Sequence, residues 1–167
     1  MKKFFRYLLL GCVFLMLVAC GKPDSQKAFE SQFKEFNSLI TKEMKNTDET
    51  TNKMVELISK ATYKINKVEE NGDNSQLNVT IKAVNLGKYM NEFIVAITTK
   101  FGAEKHPDKK ELYDFSAEYF TNLVNDKNLE YVDTEVNVQM QKIEGQWRIL
   151  NVDELVLAII GGAPLNM

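Results

Sequence analysis

The chain has 167 residues and a formal net charge of −2, from 21 Lys and Arg against 23 Asp and Glu. The first 19 residues hold three of the cations, Lys2, Lys3 and Arg6, and no acid, so without them the balance is 18 against 23, or −5. Proteins that bind nucleic acids usually present a basic face, and this acidic balance argues against a nucleic-acid partner.

An uncharged segment, Tyr7–Ala19, follows the basic start of the chain. As a helix it would reach about 20 Å at ~1.5 Å per residue, which is less than the ~30 Å hydrocarbon core of a bilayer. A basic stretch, a short apolar stretch and the small residue Ala19 have the proportions of a secretory signal. We therefore predict a signal peptide at 1–19, a tether at 20–24 and a single domain at 25–167.

The residues Leu17-Val18-Ala19-Cys20 resemble the lipobox of bacterial lipoproteins. The resemblance implies that Cys20 becomes the first residue of the mature chain and carries a thioether-linked diacylglycerol, with acyl chains such as palmitate. Two or more acyl chains hold a protein stably on a membrane, so it also implies a lipid-anchored protein on the extracytoplasmic face of the cell membrane. The alternatives are an ordinary secretory signal and an uncleaved anchor, either of them with a chance cysteine like Cys12. With Cys20 acylated, residues 20–167 hold no thiol for a disulfide or a metal site.

The tether is short enough to keep the domain near the bilayer. Residues 21–24 reach at most about 14 Å at ~3.5 Å per residue. Lys22 and Lys27 favour the start of the first helix as the side that faces anionic lipid. A partner would then approach from the far side, at the open sheet face or at the turns Asn71-Gly72 and Glu144-Gly145. A flexible tether that sets no orientation is the alternative.

Two amphipathic segments follow the tether. Between Ser25 and Met44, apolar residues recur at steps of three and four and form one stripe of a long helix: Phe29, Phe33, Phe36, Ile40 and Met44. Asn46 and Glu49 stand at capping-box spacing. They precede a second helical piece whose apolar residues are Met54, Leu57, Ile58 and Ala61. The pattern leaves open whether these are two helices or one bent helix.

Alternation of apolar and polar residues predicts two antiparallel hairpins. The first strand holds Ala61, Tyr63 and Ile65, and the turn residues NGDN lead into a second strand at Leu77–Ala83. The second hairpin runs from Val132 to Met140, and the chain turns at Glu144-Gly145 into Trp147 and Ile149.

Three further helices are predicted between and after the hairpins. The first carries an apolar stripe at steps of four: Tyr89, Phe93, Ile97 and Phe101. The second starts at Pro107-Asp108 and has one apolar face: Leu112, Phe115, Tyr119, Phe120 and Leu123. A short apolar helix follows Asn151, which we expect to cap it together with Glu154, and it ends at Gly161-Gly162.

Helices with one apolar stripe and sheets with one apolar face bury those faces against each other in α+β layers. We predict that the long N-terminal helix or helix pair packs on a four-stranded antiparallel sheet made of the two hairpins. The element order and the ending MQKIEGQWRILNVDELVLAIIGG (140–162) are similar to those of lipoproteins of unknown function with a cystatin-like or nuclear-transport-factor-like domain. The resemblance implies a curved sheet wrapped around a helix, often with a conical cavity whose use differs between members.

Residues typical of catalysis or metal binding are few. His106, the single histidine, stands in the polar run AEKHPDKK, which favours a solvated loop residue over a general base. Asp114 is the acid with the most apolar neighbours, but helical phase places it beside Lys110 and Glu118 on the solvent side. No HExxH, phosphate-loop or EF-hand motif is present. We therefore expect no catalytic residue, no metal site and no cofactor.

Three aromatic residues are the best sequence candidates for a pocket wall. Tyr63, Tyr119 and Trp147 each carry a polar atom that needs a partner when the ring is buried. The sequence favours a non-catalytic binding or scaffold module of the cell envelope, anchored in the membrane through Cys20. The alternatives are a pocket enzyme that uses a single buried carboxylate and a structural or assembly subunit of an envelope complex. An envelope protein, a small ligand or a second copy of the chain is the expected partner.

Overall fold

The computed structural model describes residues 21–44, 48–102 and 107–162. The predictions made for Cys20, Asn46 and His106 lie outside these residues. In chain order the described elements are α1 (Asp24–Met44), α2 (Glu49–Ile58), β1 (Thr62–Asn71), β2 (Asn74–Val84), α3 (Leu86–Phe101), α4 (Lys109–Asn125), β3 (Tyr131–Ile143), β4 (Gln146–Ile149) and α5 (Val152–Ile159). The predicted α+β class is confirmed, with α1 and α2 as separate helices.

The four strands form one antiparallel sheet in the order β1-β2-β3-β4. Side chains alternate between its two faces, and the apolar set of β2 and β3 is buried on the inner face: Leu77, Val79, Ile81, Ala83, Val136, Val138 and Met140. Phe29 and Phe33 of α1 and Leu155 and Ile159 of α5 belong to the same buried cluster. The prediction that the N-terminal helix packs on the dry face of two hairpins is therefore confirmed.

A β-bulge in β1 keeps its apolar residues on the inner face. Ile65 pairs with Val79 and Val68 pairs with Leu77, so β1 holds one residue more than β2 between these pairs. Without the extra residue, the odd-numbered alternation that starts at Tyr63 would direct Val68 to solvent. The side-chain amide of Asn66 donates to Asn78 Oδ1 at 2.9 Å on the outer face.

Helices α2, α3 and α4 form a second buried cluster where β2 ends. Its buried members are Leu57, Val84, Leu86, Tyr89, Phe120, Leu123 and Val124. The ring of Phe93 lies 5.0 Å, centroid to centroid, from both Tyr119 and Phe120. The sequence predicted the apolar faces of these helices, but it did not predict that they would pack on one another as a second cluster at the end of β2.

The start of α2 differs from the predicted capping box. Asp48 is extended (φ −146°, ψ 168°), and its Oδ1 accepts a hydrogen bond from Thr51 N at 2.8 Å. Asp48 is therefore the N-cap, and Glu49 is the first helical residue rather than the third. The predicted capping box is wrong. The hydrogen bonds that Asp48 accepts, first of all from the backbone of Thr51, lower the pKa of its carboxyl below the usual value.

The start of α1 is bound to the first hairpin. The buried Ser25 donates to Glu70 Oε2 from its backbone N at 3.0 Å and from its Oγ at 2.6 Å. Ser75 Oγ donates to Ser25 Oγ at 2.8 Å. A carboxylate at the N-terminus of a helix is stabilised by the free N–H groups and the positive end of the helix dipole. Glu70 and Ser75 flank the β1–β2 turn, so this turn lies beside the start of α1.

The β3–β4 hairpin ends on the same side of the molecule. Lys142 N donates to Asp73 O at 2.8 Å, which joins β3 to the β1–β2 turn two residues before the β3–β4 turn begins. The expectation that both turns lie opposite the start of the first helix is therefore wrong. The tertiary contacts of Ser25 decide this arrangement, and the periodicity of α1 carries no information about them.

Candidate functional site

An apolar groove with a volume of about 290 Å³ lies between α1, β4 and α5. We name it the α1–α5 groove. Its lining residues are Gln32, Phe33, Phe36, Arg148, Ile149, Val152, Leu155, Val156 and Ile159. Ligand sites are typically concave and mostly apolar, with a few polar groups that fix orientation, so this groove is the candidate site.

The groove forms because α1 and α5 cover only part of the inner face near the short strand β4. Gln32 Nε2 donates to the backbone carbonyl of Trp147 at 2.8 Å and holds α1 against this edge strand. Phe33 is buried, whereas Phe36, one turn further along α1, is only half-buried. On the opposite wall, Val152 starts α5 and is 46 % exposed. Apolar surface on both walls is therefore open to solvent.

Arg148 supplies the cationic group of the groove. It lies on β4 between the inward-facing Trp147 and Ile149, and its side chain is exposed. Within the part of the chain that the structure describes, Arg148 forms no ion pair with an Asp or Glu. A guanidinium binds carboxylate or phosphate through parallel hydrogen bonds. Arg148 lines the groove from this edge strand, but the alternation that turns Trp147 and Ile149 inward directs its side chain to the opposite face, so the guanidinium belongs to the rim of the groove and not to its apolar walls.

Tyr63, the first predicted pocket residue, lines a different and wider groove between α1 and β1. Its ring contacts Phe33 and Phe29, with centroids 4.7 Å and 5.3 Å away. Burial, followed by the negative charge of Glu30, raises the pKa of Tyr63 above its usual value. The Lys22 ammonium lies 2.8 Å from Glu30 Oε1 beside this groove, and this hydrogen bond is the first cause of the lowered pKa of Glu30.

The other two predicted pocket residues are Tyr119 and Trp147. Tyr119 lies in a different buried cluster from Tyr63, whereas Trp147 packs in the same sheet cluster as Tyr63 but on the opposite edge strand. Tyr119 belongs to the helical cluster, where its OH donates to Tyr89 O at 3.1 Å and burial raises its pKa. Trp147 is buried in the sheet cluster, and its indole N–H has no acceptor among the described residues. The structure therefore does not bring the three residues to one wall, and their role in ligand binding stays a prediction.

Asp114 lies on the solvent side of α4, as its helical phase predicted. Its Oδ2 is 2.5 Å from Lys110 Nζ one turn away, and this hydrogen bond raises the pKa of Lys110. In the described residues, no group of three or more His, Cys, Asp or Glu side chains is placed to hold a metal ion. No helix in the ranges 21–44, 48–102 and 107–162 is both long enough and apolar enough to cross a membrane.

The sequence analysis did not select the polar and the partly exposed residues that line the α1–α5 groove. Gln32, Arg148, Val152 and Val156 were not among the candidates. One signal was present, because Arg148 is the single arginine in residues 20–167, which otherwise use lysine as their cation.

No family model and no curated protein matches the chain. The crystal structure of YcdA, a proposed lipoprotein of Bacillus subtilis, is similar with a TM-score of 0.47 and 14% sequence identity. The match covers 83% of this chain and 44% of YcdA, so the chain spans less than half the length of that protein. The likeness is too weak to establish a common fold or function.

Proposed function

We propose that this chain is a lipoprotein held on the extracytoplasmic face of the cell membrane through Cys20, and that its α+β domain is a non-catalytic binding module. The order of basic, apolar and small residues before Cys20 supports the anchor. The contacts of the next residues support a short attachment. Lys22 pairs with Glu30, and Pro23 O accepts from Lys27 N at 3.1 Å. The chain is therefore bound to α1 within two residues of the proposed lipid.

Such an attachment supports an orientation in which one end of the domain lies near the bilayer. The start of α1 and the β1–β2 turn are joined through Ser25, Glu70 and Ser75, so both would face the lipid surface. Phe33 and Phe36 follow Asp24 by 9 and 12 residues, or roughly 14 and 18 Å along α1 at ~1.5 Å per residue. The α1–α5 groove would then open above the headgroups, where a ligand or partner can reach it.

The groove favours a small amphipathic ligand with an apolar body and an anionic group. The observation that carries this proposal is the pairing of half-exposed apolar walls with Arg148, whose guanidinium forms no ion pair within the described structure. Apolar contacts would supply affinity, and the guanidinium would orient the anionic group at the rim. No chemical step is required of these residues.

The anchor is tested by replacing Cys20 with Ser. A hydroxyl does not replace the thiol in the thioether bond, so we expect loss of labelling by a radioactive fatty acid and accumulation of unprocessed precursor or released protein. Labelling is followed by autoradiography of membrane and soluble fractions. Cys12→Ser is the matched control and should keep full labelling. Full labelling of the Cys20→Ser variant would contradict the anchor.

The groove is tested with decanoate and decanol, which share an apolar chain and differ in charge. Arg148→Gln is expected to weaken decanoate binding by about tenfold and to leave decanol binding unchanged, as measured by calorimetry. Lys142→Gln removes an exposed cation outside the groove and serves as the control for overall charge. Equal effects of the two substitutions, or no binding of decanoate to the unaltered protein, would overturn the proposed ligand class.

A further inference from the structure

Strand β3 is much longer than its neighbour β4. β4 pairs only with Met140–Ile143, whereas β2 pairs with β3 along Tyr131–Gln141. Leu150 N donates to Gln139 O at 2.8 Å just after β4 ends. Beyond this bond no strand of the described structure pairs with β3 on the β4 side.

The side chain of Asn151 extends the ladder by two more hydrogen bonds. Its Oδ1 accepts from Gln139 N and its Nδ2 donates to Asn137 O, both at 2.9 Å. Asn151 is the N-cap residue of α5, as predicted, and its Nδ2 also donates to Glu154 Oε2 at 2.9 Å. Its side chain makes no hydrogen bond to the backbone of α5, however, and binds the strand edge instead. The side-chain amide of Asn151 thus makes the two hydrogen bonds to β3 that the backbone of a paired strand would make. Pairing along this edge of β3 ends here.

The backbone of 133–137 is left without a partner on this side. The bonds of Gln139 and Asn137 show that odd-numbered residues of β3 direct their N–H and C=O groups away from β2, as antiparallel alternation requires. Within the described chain, the N–H and C=O of Asp133 and Glu135 and the N–H of Asn137 therefore have no hydrogen-bond partner there. We name residues 133–137 the β3 open edge. Such a row of groups is a template for a further strand.

A groove of about 410 Å³ runs along the β3 open edge. One wall consists of β3 residues from Thr134 to Asn137, and the other belongs to α5. On that wall Leu157 is 42 % exposed and offers an apolar surface beside the unpaired backbone. Space, hydrogen-bonding groups and an apolar contact thus coincide on this face of the molecule.

The charges around the open edge are acidic. Asp133 and Glu135 project from β3, and Asp153 and Glu154 lie in the first turn of α5. None of these four acids forms an ion pair with a described Lys or Arg. Lys82 pairs across the ladder with Asp133, but its ammonium lies over the Tyr131 ring, 5.3 Å from the centroid. Two copies meeting edge to edge would bring Asp133 and Glu135 together, so a basic occupant is favoured over a second copy.

We infer that the β3 open edge binds an extended, basic segment of a partner protein by strand addition. The backbone of the segment pairs with Asp133, Glu135 and Asn137. Its alternate side chains contact Leu157 on one face and the acids of β3 on the other. This surface lies on the opposite side of α5 from the α1–α5 groove and depends neither on the ligand proposed there nor on the lipid at Cys20.

The test uses short synthetic peptides with the intact chain in detergent micelles. One peptide alternates lysine and valine, a second alternates glutamate and valine, and a third is the lysine peptide with N-methyl groups on alternate residues. We expect the lysine peptide to bind at least about tenfold more tightly than either other peptide, because only it combines positive charge with a full set of backbone donors. Equal binding of the N-methylated peptide would overturn strand addition in favour of charge attraction alone.

Substitutions and hydrogen exchange locate the bound peptide. Glu135→Lys is expected to weaken binding of the lysine peptide by about tenfold, whereas Glu118→Lys, an equal charge change on the exposed face of α4, should have little effect. Bound peptide should slow amide exchange at Asp133, Glu135 and Asn137. Protection of these amides without peptide, together with a dimer in sedimentation, would assign the edge to a second copy and overturn the inference. The Arg148→Gln variant should bind the peptide normally, which separates this test from that of the groove.

Discussion

Gly161→Ala is expected to lower the free energy of unfolding by at least about 3 kcal/mol. Gly161 has φ +61°, and a Cβ added there would lie 1.9 Å from the backbone oxygen of Val84 and 3.1 Å from Leu86 N. These are backbone atoms at the junction of β2 and α3, and they cannot rotate away as a side chain can. The substitution forces the end of α5 away from the sheet, which urea unfolding followed by circular dichroism would measure.

The neighbouring glycine is the matched control. Gly162 has φ +73°, but no atom lies within 4 Å of its added Cβ. Gly162→Ala should therefore cost only the left-handed backbone strain, about 1 kcal/mol. Equal costs for the two substitutions would show that backbone strain alone, and not the close approach to Val84, determines the need for glycine at 161.

Trp147→Ala is the second large effect we expect, with a loss of roughly 3–5 kcal/mol by analogy with other large-to-small core substitutions. Trp147 is 8 % exposed and belongs to the buried sheet cluster. Its removal leaves a cavity between the sheet and the helices that cover it. Circular dichroism during urea unfolding is the measurement, because Trp147 is the single tryptophan and its fluorescence is lost with it. A loss below about 1 kcal/mol would contradict its place in the core.

Two control substitutions distinguish the loss of the Trp147 ring from the loss of its indole N–H and from a general sensitivity of the segment around β4. Trp147→Phe keeps most of the ring and removes an indole N–H that is buried without an acceptor in the described structure. It should cost clearly less than Trp147→Ala, since no hydrogen bond is lost. Leu150→Ala, one residue past β4 and 53 % exposed, should stay within about 0.5 kcal/mol of the unaltered protein. A large loss at Leu150 would indicate a general sensitivity of this segment.

The hydrophobic periodicity of the sequence was by itself sufficient to predict the helices and strands of this protein. Period-two alternation at Leu77–Ala83 and Val132–Met140 predicted strands whose apolar sets are buried on one face. The three- and four-residue steps of Phe29, Phe33 and Phe36 predicted a helix that packs there. The β-branched residues of α3 did not prevent a helix at Leu86–Phe101. These predictions succeed because burial of one face requires a matching sequence period.

The candidate sites were decided by tertiary structure. The α1–α5 groove depends on where α1 crosses β4, at the point where Gln32 donates to the Trp147 carbonyl. Arg148 stood out in the sequence only because arginine is rare there. The spacing of residues along the chain does not show that Arg148 lies beside two helices. Of the three aromatic residues chosen for their polar atoms, Tyr63 and Trp147 pack in the sheet cluster and Tyr119 packs in the helical cluster, because periodicity tells which face of an element is apolar and not which element will cover it.

The ends of the helices and strands likewise depend on tertiary structure more than on local sequence rules. Glu70 and Asn151 are polar residues with several possible hydrogen-bond partners, and local rules favour the partner that is nearest in sequence. In the fold, Glu70 binds the start of α1 and Asn151 binds the edge of β3, because both helices begin beside a strand whose polar groups need partners. Hydrophobic period is a local property of the chain, whereas the satisfaction of these polar groups depends on which distant backbone the packing brings within about 3 Å.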